Sequence, residues 1–287
     1  MTRPFMFSLT LLTMAAMVTP AAAQAPADPP PAAGAAAAQD DDPDRDPNDS
    51  QPDFYVATLN TNLRLPKRAF NFRLTHRFTT PLGEGDGGDL FGRFFGLDGG
   101  ALVGLDLKYG LLPGFDIGVY RTSFDRTIQL QGRYNLIRDS SGPFGLSLVG
   151  NVDGTDNFTD EYSPGVAIVV SRELGDRGAI YFQPSYVGNS NLIDLNDDDE
   201  DYTVMAGLGA RLRVGRNFYL FAEGSPRVAG FDPGADMISF GFEQRYGGHV
   251  FQLNFSNGFG TTLAQVARSG AGSDNWYLGF NLARKFF

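Results

Sequence analysis

The chain has 287 residues, 36 glycines, 25 phenylalanines, no cysteine and a formal net charge of -10. The lack of cysteine excludes disulfides, thiolate metal sites, cysteine nucleophiles and lipid attachment to an N-terminal cysteine. The acidic balance argues against nucleic acid as a partner, because phosphate binding needs a concentrated basic surface. The glycine and aromatic content disfavours an all-helical chain, and the length suits one β-barrel.

The first segment, residues 1–23, has the pattern of a secretory signal peptide. Arg3 precedes an apolar run over 5–18, and three alanines end at Ala23 before Gln24. This order of a basic, an apolar and a small-residue region predicts export and cleavage after Ala23. The run is shorter than the roughly 18 apolar residues of a spanning helix, and no later stretch approaches that length. Any membrane span of the mature chain is therefore expected to be β.

Residues 24–53 are rich in alanine, proline and aspartate, with eight aspartates against Arg45. Without aromatic or β-branched residues, such a segment buries too little apolar surface to offset the entropy lost on ordering. We predict a disordered acidic linker here, followed by a barrel domain over residues 54–287.

Alternation with a period of two begins at Phe70. Apolar Phe72 and Leu74 share its parity, whereas Asn71 and Arg73 share the other, which predicts a strand with one apolar face. The pattern recurs often enough to predict about 12 strands, many near the 9–11 residues of a tilted membrane-spanning strand. The predicted strands lie near 70–78, 101–109, 115–122, 127–134, 144–153, 162–171, 179–187, 203–214, 218–225, 238–245, 249–256 and 276–286.

The connections between these strands are alternately short and long. Short turn sequences at 111–114, 139–142, 175–178, 215–217 and 247–248 alternate with breaks that are mostly longer, at 81–98, 123–126, 153–161, 188–201, 226–236 and 257–274. An antiparallel meander then places all short turns at one rim, as in outer-membrane barrels. The prediction is a transmembrane antiparallel up-and-down β-barrel in outer-membrane lipid, with both termini periplasmic. A soluble barrel or sandwich is the alternative, but its outward set should be dense in lysine and glutamate.

Three stretches resemble one family of proteins. They are LPKRAFNFRLTHRF at 65–78, GLDLKYGLLPGFDIGVYRTSFDRTIQLQGRYNL at 104–136 and EYSPGVAIVVSREL at 161–174. They are similar to an uncharacterised family of bacterial outer-membrane β-barrels of unknown function. The resemblance implies a barrel over most of residues 54–287 and no known activity.

The C-terminal sequence NLARKFF resembles the aromatic-terminated strand that the barrel assembly machinery reads. The predicted assembly signal comprises Phe280, Leu282, Phe286 and Phe287. The apolar parity ends at Phe286, so Phe287 is an extra residue relative to that pattern.

Charged residues on the polar parity are the candidate functional residues, because that parity faces the lumen of a membrane barrel. The basic candidates are Arg73, Arg77, Lys108, Arg133, Arg211, Arg213 and Arg245, and the acidic ones are Asp106, Asp116, Glu223 and Glu243. In an open pore this basic excess predicts anion preference. Alternatively, the charges pair with each other and fill a narrow barrel.

No catalytic, cofactor or metal residue is predicted. His76 and His249 are far apart in sequence and lie near opposite predicted rims, so they do not form a shared base. The acidic run at 194–201 lacks the glycine and glutamate of an EF-hand and is interpreted as a solvated loop, with weak divalent binding left open. The glycine-rich run at 83–88 lacks the context of a phosphate-binding loop.

The favoured function is a passive or narrow-specificity channel for small polar solutes. The alternative is a plugged barrel that serves as an anchor or interaction protein, with an unidentified protein partner bound through the acidic linker or surface loops. An outer-membrane enzyme is the least supported class. The role of residues 54–66 stays open at this level.

Overall fold

The computed structural model describes residues 43–45, 51–82, 100–192, 200–268 and 274–287. Within these ranges the alternating segments form thirteen antiparallel strands. They are β1 (Phe70–Phe78), β2 (Ala101–Leu112), β3 (Phe115–Thr122), β4 (Ile128–Ile137), β5 (Gly145–Gly154), β6 (Asp160–Glu173), β7 (Gly178–Gly188), β8 (Tyr202–Arg213), β9 (Phe218–Ser225), β10 (Arg227–Gly230), β11 (Met237–Tyr246), β12 (His249–Ser256) and β13 (Tyr277–Phe286).

The strands close into a barrel. Each strand pairs with its neighbours in chain order, and β1 closes the ring by pairing with β13. Strand β9 and the short β10 both pair with β8 and are separated only by Pro226. Proline has no backbone N–H to donate, so it interrupts the strand there. The two segments count as one spanning strand, which confirms the predicted 12-stranded up-and-down barrel.

Along the spanning strands the outward side chains are mostly apolar and the inward ones mostly polar, with exceptions such as Val169, Tyr181 and Phe221, which are buried in the interior. On β2, Leu105 and Leu107 are 47% and 55% exposed, whereas Asp106 and Lys108 between them are 2% and 1% exposed. A soluble barrel would have the opposite arrangement, because its apolar set would fill the interior. The outward apolar surface is that of a barrel embedded in lipid.

The remaining regular elements lie in the connections. Tight 3₁₀ turns occupy Pro43–Arg45, Phe124–Arg126, Asp139–Ser141 and Gly175–Arg177, and a helical turn spans Thr155–Phe158. A helix over Leu263–Arg268, here called the loop helix, lies within the long connection between β12 and β13. No helix in the described ranges is long and apolar enough to cross a membrane.

Two features of the connections differ from the sequence expectation. Strand β10 and the loop helix occupy breaks that were expected to be irregular. The break expected at 153–161 contracts to 155–159, because β5 and β6 extend past their apolar runs. The runs at 83–88 and 194–199 lie outside the described residues.

The C-terminal strand presents its aromatic residues to the lipid side. Phe280, Leu282 and Phe286 lie on the outward parity of β13, and Phe286 pairs with Phe70 of β1. Phe287 follows the end of the strand.

Deleting Phe286 and Phe287 together should impair membrane insertion more than deleting Phe287 alone. Phe286 belongs to the strand that closes the barrel, whereas Phe287 lies beyond its pairing. The measurement is the fraction of heat-modifiable barrel in the outer-membrane fraction. Equal insertion of the two deletion variants would contradict this role of Phe286.

Candidate lumen site

Residues 51–65 fold back inside the barrel as a hairpin, here called the plug. Its two arms are joined by hydrogen bonds from Val56 N to Leu59 O (2.8 Å) and from Thr61 N to Phe54 O (3.0 Å). Gln51 and Asp53, expected in the linker, are already buried inside the barrel. The folded interior therefore begins before residue 54, and the segment whose role the sequence left open fills the lumen.

The apolar side of the plug packs against small residues on the inner wall. Val56, Ala57 and Leu59 form a buried cluster with residues of β7 and β9. Gly207 and Gly209 of β8 leave room for Leu59, since a Cβ on Gly207 would lie 2.6 Å from Leu59 Cδ2. The glycines on this wall thus accept the tip of the plug.

Three lumen arginines hold the plug by its backbone carbonyls. Arg73 Nη2 donates to Ala57 O at 2.7 Å, Arg133 Nη1 to Thr61 O at 3.1 Å and Arg211 Nη2 to Tyr55 O at 2.8 Å. Each guanidinium also lies beside a carboxylate: Arg73 by Asp53 (3.4 Å), Arg133 by Asp116 (2.7 Å) and Arg211 by Glu243 (2.5 Å). A buried charge is costly unless an opposite charge lies beside it. Here the wall supplies two of the three carboxylates, Asp116 and Glu243, and the plug supplies the third, Asp53.

Glu223 of β9 also holds the plug, through backbone N–H groups. Its carboxylate accepts hydrogen bonds from Ala57 N (2.9 Å), Thr58 N (2.9 Å) and Leu59 N (3.1 Å), and from Thr58 Oγ1 (2.5 Å). Hydrogen bonds to a charged acceptor are about twice as strong as neutral ones. Glu223 therefore fixes the turn at the tip of the plug.

The Tyr55 ring lies between two cations of the wall. Its centroid is 4.6 Å from the Arg73 guanidinium carbon and 4.8 Å from Lys108 Nζ. Burial raises the pKa of Tyr55 to about 12, and the Asp106 carboxylate adds to that shift. The phenol therefore stays protonated at neutral pH and adds no negative charge to the lumen.

The loop helix covers the lumen at the long-loop end. Ala264, Val266 and Ala267 are buried against Val187, Met205 and Met237. The Arg227 guanidinium donates to Val266 O (2.8 Å) and Ala267 O (2.9 Å), and Thr262 donates to the Asp153 carboxylate. Arg227 thereby satisfies backbone carbonyls at the end of the helix. The lumen is occupied at both ends by the chain itself.

The structure places ten of the eleven predicted lumen residues in the interior. All except Arg213 are buried. Arg213 lies at the short-turn rim, where it donates to Gly215 O and approaches Asp176 at 3.9 Å. Lys285 and Asp153 are also buried on the inward parity of their strands, so alternation could have identified both.

The two histidines lie apart and outside the lumen. His76 stacks on Phe280 on the lipid side, with ring centroids 4.7 Å apart. His249 is exposed at the start of β12. Neither is near enough to the other to act as a paired base. Among the described residues, no group of three or more potential ligand side chains could hold a metal ion.

Residues 53–286 match the family described as a membrane bound beta barrel domain (DUF5777). The chain belongs to this family. The match confirms the resemblance found in the sequence, and the protein is a membrane-bound β-barrel.

Several solved structures match the chain at low sequence identity. The NanC porin is 9% identical, with 76% of this chain and 98% of that chain covered and a TM-score of 0.48. The Acinetobacter baumannii outer membrane protein Omp33 is 9% identical, with 78% and 100% covered and a TM-score of 0.45. A Rhodopseudomonas blastica porin triple mutant is 11% identical, with 64% and 55% covered and a TM-score of 0.34. No curated protein sequence matches the chain.

Proposed function

We propose that the protein is an outer-membrane channel for small polar solutes, closed by its own plug. In this proposal the signal peptide is cleaved and both termini are periplasmic. The lumen opens when residues 51–65 withdraw toward the periplasm and the loop helix at the other end moves aside. The solute passes along the polar wall that the plug now occupies.

The observation that carries the proposal is the way the plug is held. Arg73, Arg133, Arg211 and Glu223 bind backbone groups at the plug, and water can satisfy all of these groups when the plug leaves. The plug is a separate hairpin that joins the barrel only through the chain leading into β1. The hydrogen bonds to the plug backbone favour a removable closure over a permanent core, and only the apolar cluster around Val56, Ala57 and Leu59 must be exposed when the plug leaves.

The second candidate is a permanently filled barrel that anchors a partner. It is favoured by the closure of the lumen at both ends, since Arg211 and Glu243 are fully buried and the loop helix packs tightly. Twelve strands leave a lumen between the filled and open sizes, so filling alone does not separate the two functions. Displacing the plug separates the channel function from the anchor function.

Gly207→Val should open the channel, and Gly150→Val is the matched control. A Cβ on Gly207 would lie 2.6 Å from Leu59 Cδ2, whereas one on Gly150 would meet nothing within 4 Å. In planar bilayers we expect the wild type and Gly150→Val to be closed most of the time. Gly207→Val should show frequent openings. If all three proteins remain closed, the channel proposal fails and the anchor is favoured.

Openings of the Gly207→Val protein should prefer anions. Basic residues outnumber acidic ones on the lumen wall, and a low-dielectric wall strengthens their potential. Arg211 and Arg213 are unsuitable for testing this, because Arg211 pairs with Glu243 and Arg213 lies at the rim. The measurement is the reversal potential across a salt gradient, with Arg77→Gln added to reduce the preference. Cation preference before that substitution would contradict the assignment.

A further inference from the structure

We propose that Arg77 and Asn254 form a binding site for a small carboxylate anion in the lumen, between the plug and the loop helix. The inference rests on the proposed function and deepens it by naming the class of solute. Binding can nevertheless be measured without conduction.

Arg77 differs from four other buried cations of the wall. Arg73, Lys108, Arg133 and Arg211 each have a carboxylate within ion-pairing distance. Arg77 is 1% exposed, yet among the described residues its hydrogen bonds go only to neutral acceptors. Those acceptors are Asn281 Oδ1 (2.9 Å) and His76 O (3.0 Å), and both bonds use Nη1. The Nε atom has no partner in the described part of the chain.

Asn254 is a second buried polar residue, close to Arg77, whose side chain lacks hydrogen-bond partners among the described residues. Its side chain is completely buried, and neither its amide nitrogen nor its amide oxygen has a hydrogen-bond partner among the described residues. Buried polar side chains in native proteins are nearly always hydrogen-bonded. A fully buried amide without a protein partner points to a bound ligand or water.

Gly279 brings these two groups together. It pairs with Arg77 across β1 and with Asn254 across β12. A Cβ on Gly279 would lie 2.5 Å from Asn254 Oδ1 and 2.8 Å from Arg77 Cδ. The absence of a side chain at this position therefore lets the guanidinium stem and the amide lie side by side.

Hydroxyl groups complete the polar surroundings. Thr75, two residues before Arg77 on the same face of β1, hydrogen-bonds to Tyr120 Oη at 2.7 Å. Tyr120 Oη also donates to Thr261 Oγ1 at 2.8 Å, in the segment that leads to the loop helix. Toward the plug, Arg73 lies four residues earlier on β1, about 13 Å away along the strand. The site thus lies on the loop side of the plug.

The donor set favours a carboxylate. A buried cation that no carboxylate pairs with carries a desolvation penalty, which a bound anion offsets. The planar guanidinium matches a carboxylate through two parallel N–H donors, and the amide N–H₂ of Asn254 supplies a further donor. Asn254 also offers an acceptor for a hydroxyl on a hydroxy acid.

The test is isothermal titration of the purified full chain in detergent, in buffer free of small anions, with sodium formate, sodium acetate and sodium chloride. The protein is examined as wild type and as Gly207→Val, so that a closed plug cannot hide the site. We expect saturable formate and acetate binding that Arg77→Gln weakens about tenfold or more, since one charge-assisted hydrogen bond is lost. Gly279→Ala should weaken it too, and the rim variant Arg213→Gln should not.

A second measurement checks that the variants fold. In anion-free buffer, Arg77→Gln should raise the midpoint of heat modification, because it removes an uncompensated buried charge. Formate should raise the midpoint of the wild type and leave that of Arg77→Gln unchanged.

The outcomes test the anion-binding site independently of the channel proposal. Absence of binding in both wild type and Gly207→Val, or equal binding by Arg77→Gln, overturns the site. Chloride binding as strong as formate overturns the carboxylate assignment in favour of a halide site. If Gly207→Val conducts without binding formate, the channel stands and the site fails. Binding without conduction leaves the site and rejects the channel.

Discussion

A covalent link between the plug and the barrel wall should abolish ion conduction, and breaking the link should restore it. Asn62 of the plug and Ser171 of β6 are in contact, with Asn62 Nδ2 2.8 Å from Ser171 Oγ. Because the chain contains no cysteine, the pair Asn62→Cys with Ser171→Cys can be joined by a disulfide or a short thiol cross-linker without side reactions. The readout is conductance in planar bilayers before and after cleavage of the link, in the Gly207→Val background.

The matched control places a similar pair within the wall. Ser239 and Ser256 face each other across β11 and β12 inside the barrel, with their Oγ atoms 3.0 Å apart. Cysteines at these positions cross-link two strands without touching the plug, so conduction should persist in either redox state. Current that survives the Asn62–Ser171 link would mean that ions pass around a stationary plug. The proposal that the plug withdraws to open the channel would then be wrong.

Arg211→Met should destabilise the folded barrel by about 3–5 kcal/mol, the range for breaking a buried ion pair. Glu243 would remain buried without its cation, and Tyr55 O of the plug would lose its donor. Urea unfolding in lipid vesicles measures the change in the free energy of unfolding. Replacing both Arg211 and Glu243 by Met should recover most of the loss, because no isolated charge is then buried.

The control for this prediction is Arg213→Met. Arg213 approaches Asp176 at 3.9 Å, and the Asp176 side chain is 86% exposed. An exposed ion pair contributes only about 0–1 kcal/mol, so this variant should unfold almost as the wild type does. Equal losses for Arg211→Met and Arg213→Met would contradict the buried pair as a source of stability.

The spanning strands and their two faces were determined by the sequence itself. The prediction of a strand over 70–78 coincides with β1, and the parity of Arg73 and Arg77 places both inside the barrel. This success has a local cause, because successive side chains of a strand point to opposite faces. A period of two therefore separates the lipid side from the lumen side even when the neighbouring strands are not known. The short turns followed from local turn sequences in the same way.

The plug and the loop helix were decided only by the tertiary structure. Residues 54–65 have no sustained alternation, and their partners are distant in sequence: Glu223, which binds Ala57 N, is 166 positions away. Local pattern carries no information about such contacts. The same holds for Arg77, which shares its parity with Arg73 and differs from it only in lacking a carboxylate partner among the described residues. Which charges inside a closed barrel find counter-charges depends on the whole ring of strands and on what fills it.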